Sequence, residues 1–412
     1  IIMPPSRKLP LLDIHQYYHN PSQFVEELRS AAHKIGFFLL QHDIPRELVQ
    51  RQLDETRTFF EQPLSKKELV SYHKSPSFRG YMKLGVENTA GAVDLREQCE
   101  YAATYPKSQI NDKVWPPYER LKANSNPWPT ECQPTLQSTT EAYIPHICRI
   151  ADCIRQALCL ALGADKTILD PIFGSSSNNH HDDEPLKMKL PDPQPQPHWA
   201  LKLVSYPVVH HDDQKKQTQA QSTTSSSALS FGVGEHTDTN FLTLVLQDDI
   251  GGLQVFSDGD WMDVPNNLGP GILVVNLGEQ AEILSRGYFL ATPHRVLSNV
   301  GGKRERISVP FFYNPMLSAR IQPIVGGEGL LSSPSQDDDQ DGGFGGGATA
   351  ISSLKWERHG DQRHWRRKDN AMLATVGDNT FKSLARSHPE VFQKHHNDLV
   401  LLDDGSVIRK EQ

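Results

Sequence analysis

At Trp199 the apolar pattern of this chain changes from helical spacing to two-residue alternation, and the alternation persists to Tyr313. The runs Trp199–Tyr206, Leu229–Glu235, Leu242–Gln247, Leu253–Phe256, Trp261–Val264, Ile272–Asn276, Arg295–Leu297 and Arg306–Tyr313 are short and evenly spaced. Gly, Pro, Asn and Asp turns separate them. The pattern predicts two packed antiparallel sheets rather than βαβ units.

Upstream the chain is richer in helix. Asn20-Pro21-Ser22-Gln23 predicts an N-cap, a proline at the first helical position and a capping-box glutamine. Phe24, Leu28, Ala31 and Ile35 follow at helical spacing, and Gly36-Phe37-Phe38-Leu39-Leu40 reads as a buried strand. Further amphipathic runs cover Glu47 to Phe60 and Tyr143 to Leu162. The expected fold class is therefore mostly β with flanking helices. A distorted double-stranded β-helix (jelly roll) forms the core, beside an N-terminal α/β helical domain. The expected divisions are 9–165 for the helical domain, 166–198 for a low-complexity insertion or linker, and 199–318 for the jelly roll, interrupted at 210–228. Residues 319–412 then form a polar, low-complexity and helical tail, with one helical piece over Asn379–Arg386 and a second after Pro389. The stretches Gly174–Pro197, His210–Ala228 and Ser332–Ala350 hold too little apolar surface to order themselves.

His236 and Asp238 are one residue apart. On a strand, positions i and i+2 face the same side, so both can enter one cavity. His294, just ahead of the Arg295–Leu297 run, is the best third partner from another strand. Two histidines and one carboxylate on one face leave coordination positions open, the arrangement used by non-haem iron(II) that binds a co-substrate and dioxygen together. Arg306 and Ser308 again sit at i and i+2, and a guanidinium fork beside a hydroxyl suits a carboxylate of a small diacid. Arg304 is the competing register and is expected at the solvated hairpin end near Gly301-Gly302. His180-His181-Asp182-Asp183 and His210-His211-Asp212-Asp213 also look like metal clusters, but they lie in low-complexity segments and read as solvated loops. His388, His395 and His396 read as surface residues.

Composition excludes several classes. The formal net charge is −8, and Lys and Arg form no basic stripe, so no nucleic-acid partner is expected. No apolar run reaches membrane-span length. The five cysteines show no C-x-x-C pair and read as free thiols in a reducing, cytoplasmic compartment. A monomer is expected.

The stretches Gly234-Glu235-His236-Thr237-Asp238, Gly251-Gly252-Leu253-Gln254-Val255, Val275-Asn276-Leu277-Gly278, Pro293-His294-Arg295-Val296 and Arg306-Ile307-Ser308-Val309-Pro310-Phe311-Phe312 resemble the isopenicillin N synthase-like iron(II)/2-oxoglutarate-dependent dioxygenases. Leu11-Leu12-Asp13, Gly36-Phe37-Phe38, Arg79-Gly80-Tyr81 and Glu97 resemble that family's N-terminal half. The resemblance implies that His236, Asp238 and His294 bind Fe(II), and that Arg306 and Ser308 hold the distal carboxylate of 2-oxoglutarate, helped by Tyr206. It further implies O2 as co-substrate, ascorbate as a candidate reductant, and oxidation of a small-molecule substrate with release of succinate and CO2. Hydroxylation, desaturation and ring closure would use the same residues. Strand alternation carries Phe312 to the face of Arg306 and Ser308 as a candidate substrate wall. Arg79 and Tyr81 are candidate substrate residues from their loop, with a loop-holding ion pair as the competing role for Arg79. Three alternatives stay open: a same-fold iron oxidase that does not use 2-oxoglutarate, a non-catalytic binding relative, and a cupin-like metal isomerase.

Overall fold

The computed structural model describes residues 8–89, 91–105, 114–122, 125–174, 196–209, 231–324 and 372–410. The two His-His-Asp-Asp runs, the 210–228 insertion and the Ser332–Ala350 stretch lie outside them, as does all but the ends of Gly174–Pro197.

Two sheets face each other. The larger runs Leu11–Asp13, Phe37–Gln41, Ile272–Leu277, Leu242–Gln247, Arg306–Asn314, His198–Tyr206, Glu97–Ala102, Gly80–Met82. The smaller runs Asp260–Asp263, Leu253–Ser257, His294–Leu297, Phe231–His236. All eight predicted strands are present, with ends moved by a residue or two. The N-terminal half does more than wrap the jelly roll: it supplies four strands, two at each edge of the large sheet.

Alternation explains why both faces of that sheet are covered. Leu201, Leu203, Leu273, Val275, Ile307, Val309 and Phe311 point into the core under the helices. Val204, Tyr206, Val274 and Phe37 point the other way, against Val233, Val255 and Val296 of the small sheet. A one-residue slip would exchange the two sets, so burial on both sides fixes the register. The helices Pro21–Lys34, Arg46–Glu61 and Pro134–Ala161 bury the predicted apolar stripes, including Phe24 and Leu28, Val49 and Leu53, Tyr143 and Ile147. The expected capping box differs in detail: the Asn20 amide donates to Gln23 Oε1 at 2.8 Å rather than the two side chains capping the backbone.

The polar C-terminal tail holds both expected helices, and they are docked on the fold. Helix Val376–Ser387, capped by Thr375, buries Phe381 and Ala385, and Pro389–His395 buries Val391 and Phe392. His388 and His396, expected on the surface, are only 3% and 1% exposed. The His396 ring stacks on Phe78 at 5.4 Å and its Nε2 meets the Pro76 carbonyl at 2.8 Å. His395 is half-buried beside the His73 carbonyl. Apolar neighbours at i and i+4 override the polar average of this stretch. The buried Arg120 locks it down with a two-pronged bond to Asp398, at 2.8 and 2.6 Å. Asp398→Ala strands that guanidinium. Asp398 is itself part-exposed, so the loss is expected at the low end for breaking a buried pair, about 3 kcal/mol. A urea midpoint that moves by less than about 1 kcal/mol equivalent would show the pair to be a surface one.

All five cysteines are free. Among the described residues no helix is long and apolar enough to cross a membrane.

Candidate functional site

His236 closes the strand Phe231–His236 and His294 opens the strand His294–Leu297, and the register sets them directly opposite one another. Their ring centroids are 4.2 Å apart. Asp238 does not continue the strand, which ends at His236, so the same-face argument is corrected: it lies in unpaired chain two residues beyond. Thr243 Oγ1 and Asn276 Nδ2, both on the large sheet, donate to Asp238 Oδ2 at 2.5 and 2.7 Å. Oδ1 is thereby left 3.7 Å from His236 Nε2 and 3.8 Å from His294 Nε2. The opposite ring nitrogens are anchored, His236 Nδ1 to the Gly234 carbonyl at 2.8 Å and His294 Nδ1 to the Thr292 carbonyl at 3.1 Å. Such anchoring places the proton on Nδ1 and aims the Nε2 lone pairs at the shared point.

One ligand atom from each residue falls within 4.8 Å of the others, and among the described residues no other His, Cys, Asp and Glu group does this. Burial, then the neighbouring His294, pushes the His236 imidazole down to about 3, so it is neutral with a free lone pair at ordinary pH. For Asp238 burial opposes ionisation, but the two imidazoles and the bonds from Asn276 and Thr243 outweigh it and hold the carboxyl below its usual range. Neutral nitrogen donors and an ionised oxygen are the protonation states a divalent cation requires. The donor set fits iron(II).

Arg306 lies opposite Tyr206 in the register, and Ser308 lies opposite Gln247 and Val204. The guanidinium sits 4.8 Å over the Tyr206 ring and gives one bond, Nη2 to Gln247 Oε1 at 2.9 Å. Among the described residues its Nε and Nη1 are buried without a hydrogen-bond partner, in a residue only 2% exposed. A buried cation with two unfilled donors is costly until an anion completes it. Gly232 makes room for this arrangement: a Cβ there would stand 2.6 Å from Tyr206 Cδ1. Arg304 takes the solvated end as expected, pairing with Asp248 at 2.9 Å and with Asp249.

A cavity of about 420 Å³ is lined by His236 and Asp238, by Phe312 and by Arg79. Phe312 pairs with Thr243, the residue that holds Asp238, which explains its closeness to the centre. Arg79 is buried and donates to the carbonyls of Leu121 at 2.7 Å and Ala103 at 3.0 Å and to Asn126 Oδ1 at 3.3 Å, bonds that hold the loop. Tyr81 does not line the cavity. Its hydroxyl donates to Glu97 at 2.6 Å and its ring packs on Phe59 and beneath Lys67.

Sequence reasoning missed Thr243, Asn276 and Gln247, whose strand positions were predicted but whose partners come from other strands. It also missed Lys202 and His198, which alternation back from Tyr206 would have found, and Thr380, Ser383 and Leu384, which bring the C-terminal helix to the cavity.

Comparison with known proteins agrees along most of the chain. Residues 191–315 match the 2OG-Fe(II) oxygenase superfamily, and residues 9–131 match the N-terminal region of the non-haem dioxygenases of morphine synthesis. A homoarginine-6-hydroxylase of Glycine max is 29% identical over 306 residues, 73% of this chain and 80% of that protein. A 1-aminocyclopropane-1-carboxylate oxidase of Dictyostelium mucoroides is 28% identical over 335 residues, 76% of this chain and 83% of that protein. The crystal structure of a full-length Neurospora crassa protein in complex with alpha-KG aligns with a TM-score of 0.62 at 20% identity, covering 92% of this chain and 96% of that one.

Proposed function

The chain belongs to the 2-oxoglutarate/iron(II) oxygenase family, and on that premise we propose that His236, Asp238 and His294 are its iron ligands and that Arg306, Ser308 and Tyr206 hold 2-oxoglutarate. It is an oxidoreductase that uses Fe(II), 2-oxoglutarate and O2 on a small-molecule substrate, with ascorbate as an expected reductant. The observation that carries the residue roles is the pair of unfilled donors on buried Arg306, on the sheet face that also presents Thr243 and Phe312 to the His-Asp-His cluster.

Iron(II) and 2-oxoglutarate, held by these residues, would supply the oxidising power for the substrate, with release of succinate and CO2. The chain's own residues position and exclude. Anchored Nδ1 atoms fix both imidazoles, while Thr243 and Asn276 fix the carboxylate of Asp238. Arg306 takes the distal carboxylate in a fork, with the Tyr206 ring beneath it and the Ser308 hydroxyl one pleat away. Phe312 forms the substrate-side wall and Arg79 holds the loop that completes it. Free cysteines and an acidic balance support a cytoplasmic protein that does not bind nucleic acid.

The deciding experiment is anaerobic addition of Fe(II) and 2-oxoglutarate to the full chain. A visible charge-transfer band saturating at one iron per chain is expected. Its absence in folded protein would overturn the proposed assignment of iron and co-substrate residues.

A further inference from the structure

The cavity floor is built by three neighbouring strands. Their register sets Glu100 beside Lys202, and Ala200 between Ala102 and Phe312. The two alanines keep the floor low, so the Lys202 ammonium reaches 5.6 Å over the Phe312 ring. Its partner Glu100 is 3.4 Å away.

A purely structural pair on the same edge looks different. Lys67 meets Glu97 at 2.7 Å, also donates to the Phe60 carbonyl, and shares Glu97 with the Tyr81 hydroxyl. Lys202 and Glu100 are looser, and Lys202 keeps 21% of its side chain accessible at the cavity. An ammonium has three donors, and one carboxylate oxygen at this distance leaves capacity for a ligand. His198 lines the same cavity, 5% exposed and with an Nδ1 that has no partner among the described residues, and burial followed by Arg79 pushes its imidazole down to about 3. The neutral ring adds a second polar contact without adding charge.

Charge decides what can lie there. Of the lining cations, Arg79 donates to backbone carbonyls and Arg96 pairs with Asp94 at 3.2 Å and Glu87 at 3.5 Å, which leaves Lys202 as the loosely held one, beside Glu100, while Asp238 is directed to the cluster. A cationic substrate would have to take Glu100 from Lys202 while standing next to the ammonium. We propose that Lys202 is the specificity-determining residue, and that the substrate is a small non-cationic molecule lying against Phe312 whose carboxylate or carbonyl oxygen accepts from Lys202. The inference rests on the iron and 2-oxoglutarate reading above, and it separates this chain from relatives named for homoarginine.

The test reads the shift of the anaerobic Fe(II)–2-oxoglutarate band when a probe enters the cavity. Phenylacetate supplies a carboxylate, 2-pyridone a neutral ring carbonyl, and L-homoarginine a cation. At least one of the first two is expected to shift the band of the wild-type protein, and which one does so identifies the acceptor. Lys202→Met should weaken that probe roughly tenfold or more, with the band itself retained as the control for fold and metal. Lys202→Glu should admit L-homoarginine, which the wild-type protein excludes. Homoarginine binding to wild type as tightly as either acceptor probe, silence of both acceptor probes, or no weakening in Lys202→Met would overturn the proposal. A missing band before any probe is added would instead overturn the iron and 2-oxoglutarate reading.

Discussion

Asp238→Ala is expected to yield a folded protein with no charge-transfer band and no succinate release. Asp238 is the single anionic donor of the cluster. Removing it leaves Thr243 Oγ1 and Asn276 Nδ2 directed at a hole and a divalent cation without its one charged donor. Losing an outer partner of a metal ligand costs roughly 10–100-fold in affinity or activity, and losing the ligand should exceed that range. His236→Ala should behave alike, since both imidazoles converge on Asp238 Oδ1. Circular dichroism separates the outcome from misfolding, because both residues sit at the sheet margin and not within its cores. Turnover surviving in either variant would sink the metal assignment.

Arg306→Ala is expected to raise the KM for 2-oxoglutarate by about 10–150-fold, the equivalent of roughly 1.5–3 kcal/mol for a hydrogen bond to a charged group. Iron affinity should stay unchanged, since Arg306 touches none of the three ligands. Arg306→Lys keeps the charge but not the planar fork or the face laid on Tyr206, so it should recover only part of the loss. Steady-state kinetics with 2-oxoglutarate varied at fixed iron decide the matter, and an unchanged KM in Arg306→Ala would remove Arg306 from the co-substrate site.

The jelly-roll strands were legible because alternation writes both sheet faces into the sequence: Val204 and Val274 belong to one core, Leu203 and Leu273 to the other. The grouping of His236, Asp238 and His294 was legible too, although Asp238 joins it from beyond the strand end and not through the pleat. The supports of the site were not legible, because Thr243, Asn276 and Gln247 act across strand pairings that local pattern cannot specify. The C-terminal helix was half legible. Its existence was expected, but its docking depends on a buried Arg120 more than two hundred and fifty positions upstream in sequence. Average polarity concealed Phe381, Phe392 and His396, which pack on Phe78 and on one another.

Asp238 hangs from the large sheet through Thr243 and Asn276, whereas His236 and His294 belong to the small one. An ion gripped by all three is therefore a rivet between the layers as well as a reagent. Its binding free energy adds to the cohesion of the fold, by about 2.7 kcal/mol when free iron stands at a hundred times its dissociation constant. Cells short of iron would then hold a looser protein, not merely an idle one.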